Sequence, residues 1–261
     1  MEAGFTEGEF YQDHFDSRAY INIFFSSPEG HSDEKSLLVF VLDALSRTFS
    51  GGKYSGQKLV EVGSGPTIHS IISASEHFQE ITLSDYAERN LEEIQKWLRN
   101  EEGCFNWNPV IEYICKLEKK SPSEVEAKIR QRVKHILKCD VRLENPFHPE
   151  NLKPADCVIT SLCLEAACKD MQAYKKALAG LASLLRPNGA LVMVGVLGES
   201  FYVVNQTRFS CLPLTEQNIK EYLKDVGFTV HEFEIFSGPK PENNEVSDYE
   251  AVFQLVALKT S

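Results

Sequence analysis

Lys58–Asp85 reads KLVEV-GSGP-TIHSIISASEHFQ-EITLSD, and its grammar decides the fold. KLVEV is a short apolar run that stops at the turn Gly63-Ser64-Gly65-Pro66. A helix-compatible stretch follows over residues 67–78. EITLSD is again strand-like and ends in an acid, Asp85. Residues 87–100 then place Leu91, Ile94, Trp97 and Leu98 on a helical stripe. Strand, loop, helix, strand, helix is the order of an α/β domain with parallel strands.

The glycine turn lacks the third glycine of a dinucleotide loop and the Gly-Lys-Ser/Thr of a phosphate loop, so it gives little support to a diphosphate. What remains is a tight turn through which a backbone approaches a ligand closely. Open α/β sheets bind ligands over the carboxyl ends of their strands. An aspartate there has two oxygens with which to accept a ribose diol. A glycine turn followed by an acid one strand later fits a nucleoside cofactor without a diphosphate, such as S-adenosyl-L-methionine. A nicotinamide dehydrogenase and a purely structural turn are the alternatives.

Outward from this core, residues 1–32 hold many aromatic residues without a clean period and read as short helical pieces lying over something. The stretch 34–49 is helix-like, with Ser32 or Asp33 as its cap and Ser50-Gly51-Gly52 as its stop. NWNPVIEYICKLE (106–118) is read as a strand or hairpin. Residues 121–138 are read as one helix with Ser121 capping it and Glu124 completing the box. A short strand is expected around Cys139-Asp140-Val141 and a buried one over 155–164. A helix over 170–185 should stop at Arg186-Pro187-Asn188-Gly189, before a strand over 190–197. Residues 200–212 alternate around Asn205-Gln206-Thr207 like a hairpin. A helix ending at Gly227 and two alternating strands, 229–236 and 249–259, close the chain.

Composition narrows the function. Of 261 residues, 43% are hydrophobic and 25% charged, which suits one globular domain. Acidic residues outnumber basic ones 38 to 27, for a net charge of −11, which repels phosphate backbones and argues against nucleic acid. Neither a membrane-spanning run nor a secretory signal is expected. The seven cysteines sit mostly in apolar stretches and form no CxxC pair. They read as reduced core residues of a cytoplasmic protein, with no metal site.

Taken together, these stretches resemble a known family, the vertebrate nicotinamide, indolethylamine (thioether) and phenylethanolamine N-methyltransferases. The resemblance runs over nearly the whole chain. It rests on GFT (4–6) with Tyr11, His14-Phe15 and Arg18-Ala19-Tyr20, and on VGSGPTIHSIISASEHFQEITLSDY (62–86). FNW (105–107), KHILKCDV (134–141), ADCVITSLCLEAACKD (155–170), SLLRPNGALVMVGVLGESFY (183–202) and FSCLPL (209–214) complete it. It implies a Rossmann-like class I methyltransferase: one domain over 1–261, a seven-stranded, mostly parallel sheet with an antiparallel last pair, and helices on both faces. Residues 1–32 would form an amino-terminal lid. It implies S-adenosyl-L-methionine as cofactor, a monomeric enzyme, and as small-molecule substrate an aromatic amine of the indolethylamine or arylalkylamine kind, with nicotinamide or a thioether as the alternative acceptor.

By resemblance, Tyr11 and Tyr20 would bond the methionine carboxylate, and Gly63, Ser64 and Thr67 would line the methionine. Asp85 would hold the ribose with Asn90 as an added polar contact. Asp140 and Val141 would flank the adenine, and Ser161 would touch the cofactor. Two positions depart: His69 and Phe25 stand where the family usually carries tyrosines. On the acceptor side, the nicotinamide branch carries an aspartate at the position of Gly195 and serines at those of Glu199 and Cys211. The phenylethanolamine branch carries glutamates matching both Glu165 and Glu199, with a tyrosine matching Tyr202. The frame is nearer the nicotinamide and indolethylamine branches. The two acids would bind a protonated amine and take its proton, with Phe24, Leu162, Tyr202 and Cys211 as walls of the acceptor pocket.

Overall fold

The computed structural model describes residues 4–28, 37–238 and 245–260. The expected cap at Ser32 or Asp33 lies outside them. Helices α1 (Gly8–His14) and α2 (Ser17–Phe24) form the amino-terminal segment, and α3 (Leu37–Ser50) precedes the sheet. Asp16 caps α2 by accepting the Ala19 N–H. Strand β1 (Gly56–Val62) leads through two 3-10 turns, His69–Ile71 and Ala74–Glu76, into β2 (Phe78–Asp85). The helix read over 67–78 is therefore two single turns. Its serines compete with helical bonding, as Ser75 Oγ donates to the Ile72 carbonyl at 2.8 Å.

Helix α4 (Glu88–Leu98) is as expected. The next stretch is a correction: residues 108–118 form α5 (Asn108–Glu118), not a strand. As a strand, Val110 and Ile111 would point to opposite faces, as would Ile114 and Cys115. As a helix all four are buried together, and each large apolar side chain removed from water contributes about 1.5–3 kcal/mol. That outweighs the β-branched preference against helix of up to ~0.7 kcal/mol per residue. The helix read over 121–138 is also shorter: α6 (Pro122–Arg132) gives way to β3 (Val133–Lys138), which pairs parallel with β2. The strand expected around Cys139 thus lies upstream of it. Ser121 sits at the N-cap, but its hydroxyl meets Ser123 Oγ and not the helix backbone.

Strand β4 (Ala155–Ser161), the short α7 (Leu164–Ala167), α8 (Met171–Leu184) and β5 (Leu185–Leu197) follow. β5 begins directly at the end of α8, so Arg186–Gly189 lie within the strand and not in a separate stop. Strands β6 (Phe201–Val204) and β7 (Thr207–Ser210) form the expected hairpin, with Asn205 and Gln206 both at positive φ, as a tight hairpin turn requires. Helix α9 (Glu216–Asp225) and strands β8 (Phe228–Phe236) and β9 (Ala251–Lys259) complete the domain.

The seven strands run β3-β2-β1-β4-β5-β9-β8. The first five are parallel, and β9 pairs antiparallel with both β5 and β8. Alternation along the strands splits the core in two. Leu59, Ile159 and Val194 pack with α3, α5 and α6, whereas Val60, Val158 and Leu191 pack with α8 and α9. Helices thus cover both faces. None of the described helices is long and apolar enough to cross a membrane.

Candidate active site

The carboxyl ends of β1 through β5 open into one cavity of about 850 Å³, roofed by α1, α2 and the β6–β7 hairpin. The order of strands reverses between β1 and β4, where a crevice forms in such sheets. Gly63 has φ +75°, and a Cβ there would stand 2.1 Å from Cys163 Sγ, so no side chain fits. Gly65 donates its N–H to Asp85 Oδ2 at 2.8 Å.

Asp85 is 5% exposed. Its Oδ1 accepts from Ala87 N–H and from Asn90 Nδ2, both at 2.9 Å. With Gly65 on Oδ2, three of its roughly four lone-pair sites are filled by the protein. The Tyr86 N–H also favours the charged form, and Oδ2 is the less occupied of the two oxygens. Burial raises its pKa against these hydrogen bonds.

Thr67, His69 and Ser161 form a buried chain. Thr67 Oγ1 donates to the Ser64 carbonyl at 2.9 Å and lies 2.9 Å from His69 Nδ1. Since the hydroxyl has one proton, Nδ1 must carry the hydrogen, and Nε2 then accepts from Ser161 Oγ at 3.2 Å. Burial pushes His69 down to about 3, so the ring is neutral. Phe25 packs on His69 with ring centroids 4.7 Å apart. The two positions that depart from the family tyrosines therefore touch each other.

The remaining cofactor candidates divide. Tyr11, Tyr20, Ser64, Asp140 and Val141 line the cavity, but Asn90 does not. It is fully buried behind the wall, where Nδ2 donates to Tyr11 Oη and Asp85 while Oδ1 accepts from Ser17. Its place is that of a brace between the lid and Asp85. Asp140 is held below the usual carboxylate range: burial opposes this, and three hydrogen bonds from Arg142, two from its guanidinium and one from its backbone N–H, outweigh it.

Glu165 and Glu199 face the other half of the cavity with Phe24, Leu162, Tyr202 and Cys211. Leu162 has φ +53°, strain that turns the chain sharply from β4 into α7. Glu165 is 4% exposed and accepts from Val196 N–H at 3.2 Å. Burial, with Glu199 adding to it, pushes Glu165 up to about 8. Glu199 is 7% exposed, and burial raises it against donation from Ser247 and the Cys211 thiol. Tyr20 stands between the halves; burial and then Glu199 and Glu165 raise its phenol. Gly195 lies behind Glu165: a Cβ there would be 2.7 Å from the Phe253 ring and 3.1 Å from Glu165 Oε1.

Sequence reasoning missed Tyr86, Cys163, Phe209, Ser247 and Tyr249, which also line the cavity. Tyr86 directly follows Asp85, and Arg142 stacks over its ring at 4.9 Å. Cys163 neighbours Ser161. Their positions after strands were the available signal. The others come from the hairpin and the segment before β9, and carry none.

The roof has its own small core, formed by Phe15, Val204 and Phe209 with Tyr11 and Tyr202 packed on it. Thr6 exchanges hydrogen bonds with Ser210, and Asn205 donates to Asp16. The amino-terminal segment and the hairpin are thus fastened to one another as well as to the sheet.

Beneath the glycine turn, Glu61 is wholly buried; Ser70 donates to Oε1, while Oε2 has no partner among the described residues. Burial pushes it up to about 8 from an ordinary 4.5. The folded protein then keeps a proton that the unfolded chain releases above 4.5. Stability from this group is full below that value and lost as pH rises through about 8. Glu61→Gln should flatten the fall of Tm between pH 5 and pH 8.5 and melt higher than the parent at the alkaline end. Calorimetric scans across that range check it, and parallel curves for both proteins would refute it.

The sequence profile of the NNMT/PNMT/TEMT family matches residues 2–260. A nicotinamide N-methyltransferase of Homo sapiens is 41% identical over 264 residues, covering 100% of this chain and 99% of that protein. An indolethylamine N-methyltransferase of Oryctolagus cuniculus is 42% identical over 261 residues, covering 99% and 98%. Among solved structures, a magnesium protoporphyrin IX methyltransferase from Synechocystis PCC 6803 with bound SAM aligns over 100% of both chains, with a TM-score of 0.57 and 14% identity. At that identity the likeness is one of fold, and it matches the Rossmann-like sheet described above.

Proposed function

Because the chain belongs to the NNMT/PNMT/TEMT family, we propose that it transfers a methyl group from S-adenosyl-L-methionine to the nitrogen of an aromatic amine of the indolethylamine or arylalkylamine kind. The observation that carries this is the buried pair Glu165 and Glu199, neither of them ion-paired among the described residues. Buried carboxylates without a protein cation are costly unless a ligand brings one.

The cofactor half suits S-adenosyl-L-methionine. Asp85 presents Oδ2, the less occupied of its oxygens, to a ribose hydroxyl, Ser64, Thr67 and Ser161 line the wall with the Thr67 and Ser161 protons held within the protein, and Gly63 lets the backbone come close. When bound, the cofactor supplies a methyl group on a sulfonium. The chain's own residues then contribute in two ways. One is alignment, which can supply about 7–11 kcal/mol. The other is deprotonation: an amine of pKa near 10 is neutral about once in a thousand at pH 7, a penalty of roughly 4 kcal/mol. Glu199, with two donors steadying its charge, attracts the ammonium, and Glu165, poised near neutral pH, can accept the proton.

A second reading, nicotinamide as acceptor, is favoured by the 41% identity to the human nicotinamide enzyme. Against it stands Gly195, where the aspartate of that branch would collide with Phe253 and Glu165. Incubation with labelled S-adenosyl-L-methionine and tryptamine, phenylethanolamine, nicotinamide or dimethyl sulfide separates the readings. Label should pass to the two amines; transfer confined to nicotinamide or to the sulfide overturns the proposal.

The same reading makes residues 1–32, of which 4–28 are described, a lid over a monomeric enzyme, and the seven free thiols support a cytoplasmic setting. Amide exchange in α1 and α2 should slow on adding S-adenosylhomocysteine. Unchanged exchange would count against a lid.

A further inference from the structure

Glu199 is held from outside its own element. Ser247 Oγ donates to Glu199 Oε1 at 2.5 Å, since an ionised carboxylate can only accept. Tyr249 N–H donates to the same Ser247 oxygen at 3.3 Å, which ties the hydroxyl to the backbone beside it. Ser247 sits on a short segment stitched to both sides of Glu199. Val203 N–H donates to the Val246 carbonyl at 2.7 Å, and Ser247 bridges to Tyr202. Asp248 accepts from Ser200 N–H at 2.8 Å, from Ser200 Oγ at 2.5 Å and from Phe201 N–H at 3.1 Å. Glu250 N–H donates to the Leu197 carbonyl at 2.8 Å.

We propose that Ser247 is a positioning residue for the acceptor reaction: its hydroxyl fixes the Glu199 carboxylate toward the acceptor pocket, on a segment that Asp248 clamps to the strand carrying Tyr202. This rests on the amine reading above. A hydroxyl donated to a carboxylate favours its charged form, the form that attracts an ammonium. Of the other side chains around Glu199, the Cys211 thiol is a second and weaker donor. Glu165, Asp248 and the Cys211, Tyr20, Tyr202 and Tyr249 side chains are acids or weak acids, and none brings positive charge.

The test is the pH profile of kcat/KM for tryptamine in the parent, Ser247→Ala, Ser247→Thr and Glu199→Gln proteins, with dimethyl sulfide as a neutral acceptor alongside. Ser247→Ala should lose about tenfold at neutral pH for the amine and move the acid limb up by roughly one pH unit. Ser247→Thr should restore the limb, and KM for S-adenosyl-L-methionine should stay as in the parent. An unmoved acid limb in Ser247→Ala, or an equal loss for the sulfide, overturns the positioning role while a loss in Glu199→Gln keeps the amine reading intact. No loss in Glu199→Gln removes the amine reading itself.

Discussion

Replacing Glu199 with glutamine is expected to lower kcat/KM for tryptamine or phenylethanolamine by about ten- to a hundredfold, the worth of one charge-assisted contact of about 1.5–3 kcal/mol. Glu165→Gln should lose a comparable amount, because a bound ammonium draws its carboxyl back toward the charged form. The glutamines keep the shape and the hydrogen bonds from Val196 and Ser247, so packing is preserved and charge alone is removed. A thioether or nicotinamide brings no cationic head and should be affected much less. Both acids serve one ligand, so the double variant should lose less than the product of the single losses. Rates for an amine and a thioether on the same preparations decide the matter. Equal losses for both acceptors would mean that the acids support the fold or the cofactor.

Asp85→Ala is expected to weaken S-adenosylhomocysteine binding by roughly 2–3 kcal/mol, the scale of a hydrogen bond to a charged group. The change also strips partners from Gly65 N–H, Ala87 N–H and Asn90 Nδ2, so the melting temperature should drop with it. Asp85→Asn keeps an acceptor for part of this network and separates the two effects: Tm should recover more than affinity does. Calorimetric titration gives the affinities, and an unchanged value in the alanine variant would move the nucleoside site elsewhere.

Much of this architecture is written in short local signals. The pairing of β1 with β2 and the turn at Gly63 follow from apolar runs that end at glycines or at an acid, and the hairpin follows from alternation around Asn205. Errors arose where two periods compete. Val133–Lys138 sets its apolar residues at 133, 136 and 137, a helical spacing, and follows a helix without glycine or proline to mark the change. Val110–Cys115 is rich in β-branched residues, yet only a helix gathers them on one face. In the candidate site, residues next to strand ends were legible because that is where the fold delivers side chains. Phe209, Ser247 and Tyr249 were not, since each reaches the cavity through long-range packing. Asn90 is legible as a polar group near the cofactor end, but only the structure shows that it braces Tyr11 against Asp85.

The small aromatic core of Phe15, Val204 and Phe209 gives the two halves of the cavity a common ceiling. Tyr11, tied through Asn90 to Asp85, leans on one side of Phe209, and Tyr202 lies stacked against it at 5.3 Å. If the proposed lid closes as one piece, a molecule that draws this ceiling down at one end would lower it at the other. Any binding energy that the acceptor gains from a seated ceiling must then appear, in equal measure, as tighter retention of the methyl donor. On the proposed reading of this segment as a lid, lifting the ceiling would uncover both products together, and their exits would be one event in the traffic of the enzyme.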